Sequence, residues 1–130
     1  EVIMLNQEGY VVECSGDNIF LVKRGELITP PTHVGALDGI TRGAVIELAD
    51  EMGVTTTESI FTRYDVYTAD ECFLTGTAAE VVSVVCADSR SIGDGKPGPM
   101  TGKLREAFAA LTQSTGTQVF AQKPGAESAG

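Results

Sequence analysis

The sequence predicts one mixed domain of strands and helices, of the α/β or α+β class, and three observations lead to that class. Short apolar and β-branched runs alternate with turn residues, which is typical of strands joined by tight turns. Apolar residues recur at helical spacing in two clear stretches, after Thr41 and after Pro99. The 130 residues, 42% of them hydrophobic, suffice for one hydrophobic core.

The N-terminal part predicts two hairpins, because pairs of apolar runs flank short stretches of turn residues. The first pairs residues 2–5 with 10–13, and the second pairs 19–23 with 26–29 around Arg24-Gly25. The stretch 14–18 between the hairpins is dense in turn-forming residues.

A glycine turn followed by a helix start is the first candidate binding feature. Gly39 permits unusual backbone angles and a close approach, and Thr41 is a suitable N-cap for a helix that stops at Gly53. Free N–H groups at such a start, with the positive end of the helix dipole, form an anion site. The alternative is a plain capped surface helix.

The second half predicts further strands and two more helices. Strands are expected at 54–60, 71–74 and 81–86, a short helix capped by Thr62 at 63–67, and a loop at 88–99 before the last helix. A second glycine turn, at 75–77, follows a strand. Together the two glycine turns favour a phosphate or carboxylate site, provided that the fold brings them together.

The charge and the cysteines exclude several classes of function. The formal net charge of −9 argues against nucleic acid and anionic membranes as partners, and no apolar run is long enough to cross a bilayer. The three cysteines form no Cys-x-x-Cys pair, which favours buried reduced thiols in a cytoplasmic protein. No cluster has metal-ligand spacing, and the single histidine, His33, lies in a loop.

Four segments in order resemble one enzyme family. These are residues 10–20, 37–42, 73–80 and 92–99, the second of which reads Leu37-Asp-Gly-Ile-Thr-Arg42. They are similar to the C-terminal domain of the class IV (fold type IV) pyridoxal-phosphate aminotransferases, most closely the branched-chain amino acid aminotransferases. The resemblance implies a mixed β-sheet, partly closed into a pseudo-barrel, with flanking helices. It assigns residues 1–113 to this domain and leaves 114–130 as a polar, mostly disordered tail.

The resemblance gives roles to residues whose chemistry suits them. Glu13 matches the glutamate that pairs with the pyridine nitrogen of the cofactor, which lets the ring accept electrons. On its own, Glu13 reads as an exposed strand residue. Leu37 matches an apolar residue packed on the cofactor ring, and its alternative is plain core.

The remaining matched residues belong to the two glycine turns. Gly39, Ile40 and Thr41 match the helix start that holds the cofactor phosphate, and Thr77 matches a second phosphate contact that also serves the substrate. Ala78 matches a position whose N–H faces the substrate carboxylate. Turn and cap chemistry is the alternative for all of them. Arg42 is interpreted as structural, since the family's phosphate arginine lies in the other domain.

The family's reactive lysine, which forms the Schiff base, has no counterpart here. None of the lysines, Lys23, Lys96, Lys103 and Lys123, falls in the matching place, and the chain begins at Glu1 within a predicted strand. We therefore expect a part of a longer enzyme that lacks the N-terminal domain and is inactive alone.

The expected parent reaction is pyridoxal-phosphate-dependent transfer of an amino group from leucine, isoleucine or valine to 2-oxoglutarate. Two alternatives stay open within the fold, a D-amino acid aminotransferase and an aminodeoxychorismate lyase. A third, of another class, is a non-catalytic binding or oligomerising module. The expected partners are amino acids and 2-oxo acids, in a cytoplasmic homodimer or higher homo-oligomer.

Overall fold

The computed structural model describes residues 1–117 and 119, and contains nine strands and three α-helices within them. The strands are β1 Ile3–Leu5, β2 Val11–Cys14, β3 Asn18–Lys23, β4 Glu26–Thr29, β5 Thr56–Glu58, β6 Glu71–Gly76, β7 Glu80–Val84, β8 Cys86–Ala87 and β9 Arg90–Ser91. The helices are α1 Ile40–Glu51, α2 Arg63–Tyr67 and α3 Pro99–Ser114, with a 3₁₀ turn at Thr32–Val34. Of the predicted tail 114–130, Ser114 is the last residue of α3, and residues 118 and 120–130 lie outside the described residues.

A mixed five-stranded sheet forms the centre of the molecule, in the order β5-β4-β3-β6-β7. All neighbouring pairs are antiparallel except β4 and β5, which are parallel and joined through α1. A parallel pair requires such a crossover connection, since a tight turn cannot join its strands. Two-stranded ribbons, β1-β2 and β8-β9, lie outside this sheet. The predicted mixed sheet with flanking helices is confirmed.

The sheet is covered on both faces, which explains why β3 and β6 read as nearly continuous apolar runs. Phe20 and Phe73 point to the side of α1 and α3, where they join one hydrophobic cluster. Ile19 and Leu74 point to the other side, where α2 and the β1-β2 ribbon complete a second cluster. Successive residues of a strand face opposite ways, so both sets must be apolar when both faces are buried.

Both predicted N-terminal hairpins are confirmed, while several boundaries in the second half were predicted wrongly. The strand expected at 54–60 is only β5 Thr56–Glu58, and the one expected at 81–86 ends at Val84. The expected loop 88–99 begins inside a further hairpin, β8-β9. Its turn residues, Asp88 and Ser89, both have positive φ. Glycine is the usual sign of such a turn, and the sequence has none at these two positions, so the hairpin was not predicted.

The last helix begins as predicted, but a distant side chain caps it. Pro99 is its first residue, where a missing N–H costs nothing. The Glu71 carboxylate accepts hydrogen bonds from the N–H of Met100 at 2.9 Å and from the N–H and hydroxyl of Thr101 at 2.8 and 2.7 Å. Glu71 lies on β6, so this contact ties the helix start to the central sheet.

We expect Glu71→Ala to lower the free energy of unfolding by about 2 kcal/mol, because three hydrogen bonds to a charged cap are lost at a helix start. Urea unfolding measures the change. Glu106→Ala, which removes an exposed carboxylate from the same helix, is the matched control and should change stability by less than about 0.5 kcal/mol. Equal midpoints for the two variants would contradict the capping role.

The three cysteines are free, and two of them are buried as predicted. Burial raises the pKa of Cys14 to about 11 and that of Cys72 to about 12. The prediction was wrong for Cys86, which is exposed because β8 lies outside the central sheet. Among the described residues, no helix is long and apolar enough to cross a membrane, and no cluster of His, Cys, Asp or Glu could hold a metal ion.

Candidate functional site

A cleft of about 440 Å³ lies where β2, β3, β6 and the start of α1 meet. Both predicted glycine turns reach it, so the fold brings them together as the anion-site prediction required. Six of the seven predicted site residues line it: Glu13, Leu37, Gly39, Ile40, Thr41 and Thr77. Ala78 follows Thr77 in the turn between β6 and β7 but does not line the cleft itself.

The start of α1 presents free backbone donors to the cleft. Gly39, not Thr41, is the N-cap, and no side chain caps the helix. The prediction of a Thr41 cap was therefore wrong, since Thr41 is the second helical residue and its side chain is buried. The N–H groups of Ile40 and Thr41 belong to the first turn, where helical residues find no partner within their own helix. They remain available for an anion.

Glycine is required at position 39 because another side chain packs against its Cα, and not because of its backbone angles. Its φ of −70° and ψ of 140° are ordinary extended values that any residue adopts. A Cβ at this position would collide with the side-chain oxygen of Asn18. The predicted close approach is thus present, and the group that approaches is an amide of the protein itself.

The second turn begins later than predicted. Thr75 and Gly76 are the last residues of β6, and the chain turns only from Thr77 onward. A Cβ at Gly76 would collide with the Asp17 carboxylate. The Thr75 hydroxyl is buried at the cleft without a hydrogen-bond partner, which leaves an unsatisfied polar atom beside the exposed Thr77.

The Glu13 carboxylate is held in place by the backbone N–H of Leu37 and by the side-chain amide of Asn18. Its Oε2 accepts a hydrogen bond from the Leu37 N–H at 2.9 Å and lies 3.5 Å from the Asn18 side-chain nitrogen. Leu37 itself is 69% exposed and Ile40 is 89% exposed, so the interpretation of Leu37 as plain core is wrong. Two large apolar side chains therefore border a cleft that contains a carboxylate.

Sequence reasoning missed Asn18, which is 6% exposed at the base of the cleft. Its amide donates to the Leu37 carbonyl at 2.8 Å in addition to its contact with Glu13. The stretch 14–18 was interpreted as a turn, and the family segment 10–20 that contains it gave Asn18 no role. The available signal was the position of Asn18 directly before the buried strand run 19–22, since a polar residue at the edge of a core needs partners.

Arg42 lies beneath the helix start and not in the cleft. It is 4% exposed, donates to the Pro30 carbonyl at 3.2 Å, and pairs with the carboxylates of Asp38 and Glu58. These contacts join the start of α1 to the ends of β4 and β5. They agree with the interpretation of Arg42 as a structural residue.

The cleft carries negative side chains, so an anion there depends on backbone donors. Glu13, Asp17 and Asp38 line it, and no lining residue is a lysine or an arginine. Burial raises the pKa of Asp17, and the nearby Glu1 charge raises it further. The dipole and free N–H groups of α1 are the attractive elements that the described residues supply.

The chain belongs to the amino-transferase class IV family, whose model matches residues 1–86. Among its relatives, the probable branched-chain-amino-acid aminotransferase of Aquifex aeolicus is 52% identical over 83% of this chain and 35% of that protein. The putative enzyme of Methanocaldococcus jannaschii is 48% identical over 92% of this chain and 42% of that protein. The chain thus spans less than half the length of these relatives.

Solved structures with the same fold agree with this placement. The branched-chain amino acid aminotransferase of Escherichia coli superposes with a TM-score of 0.82 at 45% identity, covering 84% of this chain and 37% of that one. A second such enzyme, from T.th. and in complex with N-(5'-phosphopyridoxyl)-L-glutamate, gives a TM-score of 0.81 at 43% identity, covering 84% and 37%. This second crystal contains a pyridoxal-phosphate derivative, which supports that cofactor for the family.

Proposed function

We propose that this chain is the cofactor-holding part of a branched-chain amino acid aminotransferase, which transfers the amino group of leucine, isoleucine or valine to 2-oxoglutarate. One observation carries the proposal for this chain. A single cleft combines a fixed carboxylate at Glu13 with the free N–H groups of Ile40 and Thr41. The names of the relatives and structural neighbours supply the substrate class.

The residues of the cleft fit pyridoxal phosphate. Its volume of about 440 Å³ lies within the usual range for small-ligand sites. The N–H groups of Ile40 and Thr41 and the hydroxyl of Thr77 would hold the phosphate, and close packing at Gly39 keeps that end of the cleft narrow. The Thr75 hydroxyl, buried beside the cleft without a hydrogen-bond partner, supports the presence of a further polar group at this end.

Each residue has a separate task in this proposal. When bound, pyridoxal phosphate supplies an electron-accepting ring for amino-group transfer. Glu13 keeps a proton on the ring nitrogen, because a carboxylate accepts that N–H and is stabilised by its positive charge. Leu37 covers the ring and excludes water, and the Ala78 N–H orients the substrate carboxylate. None of these tasks requires a reactive amine from the described residues.

The reactive lysine would then come from elsewhere in the enzyme. No lysine lines the cleft within residues 1–117, and Lys23 is bound to Asp65 at 3.2 Å. We propose that residues 1–113 form a unit that holds the cofactor but does not transaminate alone. We also propose that the complete enzyme is cytoplasmic and forms a homodimer or a higher homo-oligomer.

The first test removes one backbone donor without disturbing its helix. Ile40 is the first residue of α1 and is exposed, so Ile40→Pro deletes the N–H at a position that proline favours. We expect this variant to bind pyridoxal phosphate at least about tenfold more weakly, since a hydrogen bond to a charged group is worth about 1.5–3 kcal/mol. Ile40→Ala keeps the N–H and is the matched control. Fluorescence titration measures both.

Borohydride reduction followed by intact-mass analysis completes the test. Saturable binding without a reduced adduct is expected, since the cleft would hold the cofactor without its amine. A stoichiometric adduct on one lysine of this chain would show that the reactive amine lies within it, against the proposal. Equal affinities for Ile40→Pro and Ile40→Ala would overturn the phosphate site at the start of α1.

A further inference from the structure

We propose that Asn18 is the positioning residue of the cleft, and that its side-chain amide sets the orientation of the Glu13 carboxylate and the distance between the two ends of the site. The inference rests on the proposed function, because Glu13 and the start of α1 are the two ends that the cofactor would contact. No contact between Asn18 and the cofactor is required.

The hydrogen bonds around Asn18 form a closed set. Its side-chain nitrogen donates to the Leu37 carbonyl at 2.8 Å and lies 3.5 Å from Glu13 Oε2. The Leu37 N–H donates to the same Glu13 oxygen at 2.9 Å. Glu13 on β2, Asn18 on β3 and Leu37 before α1 are therefore linked through two atoms, the Asn18 side-chain nitrogen and Glu13 Oε2. The Asn18 nitrogen carries two protons, one for each of its two acceptors.

This arrangement decides which Glu13 oxygen is available. Oε2 receives both donors, whereas Oε1 accepts no hydrogen bond from the described residues. Because Glu13 lines the cleft, Oε1 is the oxygen left to accept a proton donor from a ligand. Without the amide, the carboxylate could rotate and both oxygens would compete for the Leu37 N–H.

The other end of the Asn18 amide positions the helix start. Its oxygen occupies the space that a Cβ of residue 39 would take, so it packs directly on Gly39, the N-cap of α1. Asn18 is also paired with Thr75 in the register of β3 and β6. One buried side chain thus contacts the carboxylate end and the phosphate end of the cleft, and a shift of either end must displace it.

The test begins with the ligand-free 130-residue chain. Asn18→Asp keeps the side-chain shape but replaces the donor with an oxygen that faces the Leu37 carbonyl and the Glu13 carboxylate. We expect the Leu37 amide to exchange at least about tenfold faster with solvent in NMR measurements. Thr29→Val is the matched control, because it removes another buried hydrogen bond, 2.8 Å from Thr29 to the Ile19 carbonyl, between two residues that do not line the cleft.

A second variant examines the same contact without changing a buried residue. Glu13→Gln, at a half-exposed position, should shift the side-chain NH₂ signals of Asn18, whereas Thr29→Val should leave them in place. Unchanged Leu37 exchange in Asn18→Asp, or unchanged Asn18 signals in Glu13→Gln, would overturn the positioning role.

The final measurement uses ¹⁵N-labelled pyridoxal phosphate, whose ring-nitrogen signal reports whether that nitrogen carries a proton. We expect the protonated signal in the natural chain and in Thr29→Val, and its loss in Asn18→Leu, which removes the amide without adding a negative charge beside the ring nitrogen. A protonated signal in Asn18→Leu would contradict the inference. If the natural chain binds no cofactor while the amide results hold, the proposed function fails and the positioning of Glu13 by Asn18 stands.

Discussion

Glu13→Gln is expected to lower kcat about 10²–10³-fold in a complete enzyme that combines this chain with the remaining segments of a branched-chain relative. Glutamine preserves the shape, and its oxygen can still accept the Leu37 N–H that Glu13 accepts at 2.9 Å. In the proposed site, the glutamine amide would present a donor to the ring nitrogen where an acceptor is needed, and the ring nitrogen would lose its proton. Loss of one preorganised electrostatic partner has an effect of this size in other enzymes.

The kinetic pattern separates this effect from weaker binding. If Glu13 has the proposed role and acts on charge that develops during reaction, kcat should fall more than KM rises for leucine and 2-oxoglutarate. Glu8→Gln makes the same charge change at an exposed position between β1 and β2 and should leave both constants unchanged. A change confined to KM in Glu13→Gln would show that the carboxylate serves binding alone.

The parts of the fold that depend on local chemistry were predictable from the sequence. Arg24 and Gly25 both adopt positive φ in the tight turn that joins β3 and β4, and the turn pattern predicted that hairpin. Pro99 opens α3 as expected, and the apolar stripe through Leu104 and Phe108 faces the core. In each case the signal lies within a few residues of the element that it determines.

The features that were missed depend on residues far apart in the chain. The cap of α3 comes from Glu71, and no periodicity near Pro99 indicates it. The close approach expected at Gly39 is present, but its partner, the Asn18 side chain on another strand, was not foreseen. Contacts of this kind are set by strand pairing, which local patterns do not encode.

The site was predictable only in part, for the same reason. Free donors at the start of α1 follow from its own residues, although Gly39 and not Thr41 is the cap. Glu13 alone reads as a surface strand residue, and the family pattern was needed to single it out. Asn18 was not found, since its importance appears only when Glu13 and Leu37 are seen beside it.

Phe73→Ala is expected to lower the free energy of unfolding by about 3–5 kcal/mol. Phe73 and Phe20 are directly paired across β6 and β3, both are fully buried, and their rings stack with centroids 4.9 Å apart. Truncation leaves a cavity between the sheet and the two long helices, and Leu104 cannot fill it without moving α3. Since domains of this size are stable by about 5–15 kcal/mol, this is a large part of the total.

Urea unfolding of a double-mutant cycle separates the ring contact from the cavity. Phe20→Leu and Phe73→Leu keep most of the volume, so each should cost less than the alanine variant, and their coupling should be about 0.5–1.5 kcal/mol. Phe61→Ala, in the cluster on the opposite face of the sheet, is the control for cavity formation without this stacking partner. Additive Phe20→Leu and Phe73→Leu effects would mean that the two rings contribute by burial alone.

A small loss of stability in Phe73→Ala would mean that α1 and α3 close onto the sheet when the ring is removed. The cleft at the start of α1 should then change shape with them.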